Sequence, residues 1–135
     1  MKAVCEDIRF LLDQNSFGVS GTDLFSFEWG SNVEGDEIDS QILILDADDI
    51  ETPLKELYEN PTFTILVRGS KVESGKTVHD RARAVYEFMI QRPSETIDGT
   101  DYLQFEPITG LVPIGRDEND RHVYTMTFYT YRDPI

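Results

Sequence analysis

The chain has 135 residues, 39% of them hydrophobic, and a formal net charge of −14 at pH 7. This length predicts one domain, residues 1–135, that buries about two-thirds of its unfolded surface, and the sequence holds no apolar run of about 18 residues that would span a membrane. So acidic a surface repels phosphate backbones and does not supply the counterion release that drives ordinary nucleic-acid binding. Cys5 is the only cysteine in the sequence, which excludes an internal disulfide and favours assembly in a reducing, intracellular compartment.

The first half of the chain predicts one helix followed by three strands. A helix is expected over residues 3–14, and strands are expected over 23–29, 41–46 and 62–68. Apolar residues expected to share a buried face are Val4, Ile8 and Leu11 on the helix, Phe25, Phe27 and Trp29 on the first strand, and Phe63, Ile65 and Val67 on the third.

The second half predicts one helix and a β-rich end. Thr77 and Asp80 form a candidate capping box that would start the helix, and Arg92 before a proline would end it. Further strands are expected over 102–106, 111–115 and 122–131. The order α-β-β-β-α-β-β, with short links, predicts an α+β fold in which two main helices pack on one face of a mainly antiparallel sheet.

The last strand alternates between two kinds of surface. Its first face has Tyr124, Met126 and Phe128, and its opposite face has Val123, Thr125, Thr127, Tyr129 and Tyr131. A charged hairpin tip, residues 116–121, precedes it.

The segment after the third strand resembles a phosphate-binding loop but departs from it in spacing. Such a loop needs four residues between its two glycines, whereas five separate Gly69 from Gly75 here. Glu73 also adds a negative charge where phosphate would sit. Because a nest of backbone N–H groups is geometrically strict, we interpret this segment as a strand-to-helix corner, with Lys76 solvated.

No other pattern points to catalysis or to a dedicated metal site. His79 and His122 are the only histidines, Cys5 falls on the apolar side of a helix, and no serine lies in a G-x-S-x-G context. One acidic cluster, Asn32, Glu34, Asp36 and Asp39, lacks the spacing of a calcium-binding loop. A second, Asp46, Asp48, Asp49 and Glu51, is interpreted as a solvated face. No cofactor is predicted.

Two blocks of sequence resemble a known family. Residues 61–90, with the runs ILVRGSK and RARAVYEFMI, resemble phage minor capsid and tail-completion proteins, and so does the Thr- and Tyr-rich block 113–131. The order of elements is similar to that of the tail terminator proteins of long-tailed phages. The resemblance covers nearly the whole chain.

This resemblance implies a structural role without catalytic residues. Proteins of this family form rings, typically hexameric, on the head-proximal end of the tail tube, where they stop tube growth and provide the joint to the head connector. The implied partners are further copies of the chain, the tail tube protein and the head-completion or connector protein. The protein would belong to the virion, assemble in the host cytoplasm, and let DNA pass nearby without specific binding.

The residues expected to contact these partners lie at the charged tip and near the end of the last strand. They are Arg116, Asp117, Glu118, Asn119, Asp120, Arg121, Tyr129 and Tyr131. The loop over residues 30–40 is a further candidate contact.

Three other functions remain open on the sequence alone. The protein could be another neck, head-closure or minor capsid protein, which differs from a terminator by its location. The net charge of −14 also suits an acidic protein that imitates DNA and inhibits a host enzyme. The Gly75-Lys76-Thr77 run alone motivates a small nucleotide-binding enzyme.

Overall fold

A computed structural model describes residues 3–27, 29, 40–47, 61–70, 72–92, 94–117 and 120–131. Within these ranges the chain forms two α-helices and seven β-strands. In chain order they are α1 (Val4–Gln14), β1 (Leu24–Ser26), β2 (Gln41–Ala47), β3 (Thr62–Arg68), α2 (Gly75–Ile90), β4 (Glu95–Ile97), β5 (Thr100–Tyr102), β6 (Glu106–Arg116) and β7 (His122–Tyr129).

The main sheet has five strands in the order β1-β2-β3-β7-β6, and β4 and β5 form a separate two-stranded hairpin. β1 pairs with β2 in parallel, whereas the other pairs are antiparallel. The predicted α+β class, with its mainly antiparallel sheet and its element order, is confirmed.

Both helices pack on one face of the main sheet. Ile44, Ile65 and Met126 lie side by side on β2, β3 and β7, and each is fully buried. The same hydrophobic cluster contains Ile8 of α1 and Val85 of α2. Burying each such side chain contributes about 1.5–3 kcal/mol, so this shared layer holds the helices against the sheet.

The two helices begin with different caps. α1 has no side-chain cap of its own; instead the Asp46 carboxylate, from β2, accepts a hydrogen bond from the Cys5 backbone N–H at 2.8 Å. In α2, the hydroxyl of Ser74 accepts a hydrogen bond from the Thr77 N–H at 3.2 Å, so Ser74 is the N-cap. The predicted capping box at Thr77 is therefore wrong, and both the cap and the start of α2 lie three residues earlier.

The first strand is shorter than its alternation predicts. β1 ends at Ser26 because Phe27 adopts a left-handed backbone with φ 74°. Phe27 is 56% exposed, whereas Leu24 is fully buried. The expected buried face of Phe25, Phe27 and Trp29 is wrong, since the core contact of this strand comes from Leu24.

The last third contains one hairpin more than the sequence indicates. Residues 102–106 are not one strand, because Tyr102 ends β5 and Glu106 begins β6. The β4–β5 turn uses Asp98 and Gly99, both with positive φ, as two-residue hairpin turns require. The alternation of β7 is confirmed at Met126 and Phe128, both fully buried, but the strand ends at Tyr129.

Candidate assembly interface

The charged tip between β6 and β7 is held by its own ion pairs. The Arg116 guanidinium contacts the Asp120 carboxylate at 2.9 Å. Asp117 accepts hydrogen bonds from the backbone N–H and the Nε of Arg121, at 3.0 and 2.9 Å. The tip therefore presents paired charges in a fixed turn, with Asp120 in the left-handed region at φ 62°. Glu118 and Asn119 lie outside the described residues.

The tyrosine pair lies where β7 ends. The rings of Tyr129 and Tyr131 meet edge to face, with centroids 6.0 Å apart, a favourable aromatic geometry. The segment is anchored by the backbone, since the Leu103 N–H donates to the Tyr131 carbonyl at 2.8 Å. The Thr130 hydroxyl also donates to the Leu103 carbonyl at 2.9 Å.

The structure does not bring the two predicted contact clusters together. The tip precedes His122 and the tyrosine pair begins at Tyr129, so they lie at opposite ends of β7. At about 3.4 Å per residue, the strand separates them by roughly 24 Å. Those of the predicted contact residues that the structure describes therefore fall into two separate groups, one at each end of β7.

The face of β7 that turns away from the helices is polar but uncharged near its middle. Thr127 pairs with Thr64 of β3, and Thr125 pairs with Leu66; all four are half-buried. The hydroxyls of Thr64 and Thr127 are hydrogen-bonded at 3.1 Å. Because β7 lies between β3 and β6, its backbone is paired on both sides, and only its side chains on this face are open to a further contact.

The edge strand β6 has exposed apolar side chains that the sequence analysis missed. Ile108, Val112 and Ile114 are 47%, 42% and 58% exposed, on a strand of 11 residues. Prolines are confined to sheet edges and bulges because they lack an N–H donor. Pro107, before this run, and Pro113, within it, are thus the sequence signal that could have identified an edge.

The loop that resembles a phosphate cradle forms a closed corner. A Cβ on Gly69 would lie 2.2 Å from Val78 Cγ2, so the loop packs directly on α2. The Glu73 carboxylate accepts a hydrogen bond from the Ser70 N–H at 2.8 Å and pairs with Arg81. The groups that would meet a phosphate thus serve the protein's own contacts, and Lys76 pairs with Asp80 at 2.8 Å.

The electrostatics of Glu73 agree with this structural role. Burial of its carboxyl favours the neutral form, but hydrogen bonds from Arg81 and from the Ser70 N–H outweigh it and lower its pKa below the usual 4.5. Glu73 is therefore ionised at neutral pH and occupied by its own partners.

Cys5, which the sequence places on the apolar side of a helix, is a core residue. It is fully buried, and burial together with the neighbouring Asp46 charge raises the pKa of its thiol to about 12. Among the described residues, no group of three or more His, Cys, Asp or Glu side chains is arranged to hold a metal ion. Of the two acidic clusters, only Asp46 lies in the described part of the chain.

Several described acidic side chains are used inside the fold. Asp23 accepts from the Val19 N–H at 2.7 Å, Asp13 from the Ser20 N–H at 3.1 Å, and Asp46 from the Cys5 N–H. An acidic inhibitor that imitates DNA needs its carboxylates free and regularly spaced on one face. These internal contacts give that alternative no support from this part of the chain.

These features define a small α+β fold with exposed apolar side chains on β6 and a charged tip between β6 and β7. Residues 11–133 match the family model of the bacteriophage tail terminator protein. The chain therefore belongs to the bacteriophage tail terminator family, as the sequence resemblance predicted. No curated protein sequence matches the chain significantly.

Membership of this family makes the protein a structural component of the phage tail and of the virion. The match extends from within α1 to beyond β7, so it includes both predicted contact clusters. Within the described ranges, neither helix has the length and hydropathy needed to cross a membrane.

Proposed function

We propose that the protein forms a closed ring, hexameric, on the head-proximal end of the tail tube. There it stops tube growth, provides the joint to the head connector, and acts by assembly without catalysis. The observation that carries this proposal is the family match over residues 11–133. A ring of identical subunits needs surfaces for its neighbours and two further surfaces for the structures above and below it.

The two ends of β7 supply candidates for the surfaces above and below the ring. The 116–121 tip contacts one axial partner, and the pair Tyr129 and Tyr131 contacts the other. The axial partners are the tail tube protein and the head-completion or connector protein. Aromatic side chains are enriched in protein interfaces, and the fixed charge pairs of the tip give it a defined shape.

The acidic balance suits a protein that surrounds a DNA passage. With a net charge of −14, a wall of such subunits repels phosphates and does not retain the genome as it passes. DNA therefore passes near the ring without specific binding.

Native mass spectrometry and negative-stain microscopy test the ring directly. The expected result is a species of six 15.5 kDa subunits that appears as a ring with a central opening. A protein that stays monomeric, both alone at high concentration and in the presence of purified tail tubes, contradicts the proposal.

Disrupting the gene in the phage distinguishes a terminator from the alternative, a head-closure protein of the same neck. Loss of a terminator produces tail tubes of abnormal length, because nothing stops their growth. Loss of a head-closure protein produces tails of normal length that fail to join heads. We expect tails of abnormal length, and we expect a plasmid copy of the wild-type gene to restore the normal length.

A further inference from the structure

The large apolar side chains exposed in the described ranges lie mainly beside the two edges of the main sheet. Ile108, Val112 and Ile114 are on β6. On the other side, Val19 and Phe27 flank β1 and are 59% and 56% exposed. Phe10, 42% exposed, lies on α1, which contacts β1. Of the remaining two, Val72 lies three residues before α2 and Ile90 is its last residue.

These two apolar surfaces are separated by the width of the sheet. The order β1-β2-β3-β7-β6 puts β1 and β6 at opposite edges. Four strand spacings of about 4.8 Å amount to roughly 19 Å between them. Two different surfaces on opposite sides of one subunit are what a head-to-tail contact requires, and such contacts form a ring when the rotation between neighbouring copies closes.

The helices beside the two edges also differ in charge, whereas β6 itself, with Glu106 and Arg116, is neutral. Residues 3–27, which contain α1 and β1, have four acidic residues and one basic residue, a net charge of −3. α2, which contacts β6 and β7, has three basic and two acidic residues, a net charge of +1. In a chain of net charge −14, this difference favours contact between unlike edges, because opposite potentials attract and like potentials repel.

Extension of the sheet across β6 is disfavoured by the strand itself. Pro107 and Pro113 lack the N–H needed for backbone pairing, and the β6–β7 register shifts three times along the strand. Prolines and bulges are the devices that prevent edge-to-edge strand pairing. A partner therefore packs on the exposed side chains of β6.

We propose that the β6 edge of one copy packs against the β1 edge of the next copy. Ile108, Val112 and Ile114 form one side of this contact, and Val19 and Phe27 form the other. This inference rests on the proposed ring and names its lateral surfaces, which are distinct from the axial sites at the two ends of β7.

Charge substitutions at each edge test the contact. Ile114→Asp and Phe27→Asp each place a carboxylate in the proposed interface, and Asp tolerates the left-handed backbone of residue 27 better than Phe does. We expect each variant to lose the ring at concentrations where wild type is fully assembled. Val72→Asp, at a position 84% exposed, is the matched control and keeps the ring.

Circular dichroism shows whether each variant is folded. If either first variant unfolds, Val112→Asp and Val19→Asp replace them at the same two edges. Rings that persist in folded variants of both edges overturn the β6–β1 contact while the ring itself stands. A wild-type protein that forms no ring, with or without tail tubes, overturns both proposals.

Thiol crosslinking identifies which edges meet. A chain with Val112→Cys and Phe27→Cys, treated with a short bismaleimide, should give a ladder of covalent multimers up to the ring size on a denaturing gel. Each single variant should run as a monomer on the denaturing gel. The wild-type chain, whose one cysteine, Cys5, is buried, shows the background of crosslinking through that residue. Covalent dimers from Val112→Cys alone would show β6 against β6 and would overturn the proposal.

Discussion

The hydroxyl of Tyr102 donates a hydrogen bond to the carboxylate of Asp7, across 95 residues of chain. Both side chains are buried, with relative exposures of 0% and 1%. Asp7 is on α1 and Tyr102 ends β5, so this bond ties the separate hairpin to the first helix. A buried carboxylate is tolerated where donors satisfy it, which makes the tyrosine hydroxyl part of the stability of α1.

Replacing Tyr102 with Phe should destabilise the protein by about 1–3 kcal/mol, because it removes a donor from a buried carboxylate while keeping the ring. Urea unfolding followed by circular dichroism measures the change. Tyr129→Phe, at a half-buried position, is the control and should stay within about 0.5 kcal/mol of wild type. Equal effects of the two substitutions on the free energy of unfolding would show that the hydrogen bond to Asp7 does not stabilise the protein.

Local periodicity predicted the central elements because their environment repeats along the chain. Phe63, Ile65 and Val67 face one buried layer, and the predicted strand has the bounds of β3, Thr62–Arg68. The same rule failed in β1, where the left-handed backbone of Phe27 interrupts a regular alternation of apolar residues. The spacing of hydrophobic residues does not show where the backbone adopts a positive φ.

The candidate site was only partly visible in the sequence for a related reason. The 116–121 tip is a local feature, so its charges identified it, although its pairing was not foreseen. The exposure of β6 depends on strand order, which places β7 between β3 and β6, and strand order is set by contacts far apart in sequence. The bond between Asp7 and Tyr102 is long-range in the same sense.

Gly69 is expected to tolerate no side chain. An added Cβ would approach Val78 Cγ2 to 2.2 Å, and Val78 is fully buried, so Gly69→Ala must displace α2 from the corner. Overpacking of this kind costs about 1–3 kcal/mol, measured by urea unfolding. Gly110→Ala is the matched control, since nothing lies within 4 Å of its added Cβ. A neutral Gly69→Ala would mean that the corner is loosely packed.

The pair between Glu73 and Arg81 should stabilise the corner in a pH-dependent way. Their side chains are 19% and 32% exposed, and Glu73→Gln should cost about 1–2 kcal/mol at pH 7. Glu87→Gln removes a pair with Arg83 in which both side chains are at least half exposed, and should change stability by less than about 0.5 kcal/mol.

The direction of the pH dependence follows from the lowered pKa of Glu73. In the unfolded chain this carboxyl titrates near 4.5, and its pKa is lower in the folded protein. Its contribution is thus fully present above the unfolded value and is lost as the pH falls through the folded value. Urea unfolding at several pH values should show the wild type and Glu73→Gln converging below pH 4.5. A difference in unfolding free energy that stays constant with pH would show that the effect comes from packing rather than from the charge of Glu73.

Cys5 should be unreactive in the folded protein. Its side chain is fully buried and the pKa of its thiol is raised to about 12, whereas thiol reagents attack the thiolate. Reaction with a chromogenic disulfide reagent at pH 8 should be negligible without denaturant and complete in concentrated guanidinium chloride. A Val72→Cys variant, whose new thiol is exposed, should release one equivalent at once. Rapid reaction of native wild type would contradict the burial of Cys5.

The tip should act in assembly with little effect on folding. Arg116→Gln and Arg83→Gln each remove one exposed pair with an N–O distance of 2.9 Å and the same i,i+4 spacing, so both should change unfolding free energy by less than about 0.5 kcal/mol. Because the tip is proposed to contact an axial partner, Arg116→Gln should lower the affinity of that joint by about tenfold, the equivalent of 1.4 kcal/mol. Complementation of a gene-disrupted phage should then give fewer infectious particles with Arg116→Gln than with Arg83→Gln, although both form rings. Equal yields would remove Arg116 from the joint and leave the tyrosine end of β7 as the axial contact to test next.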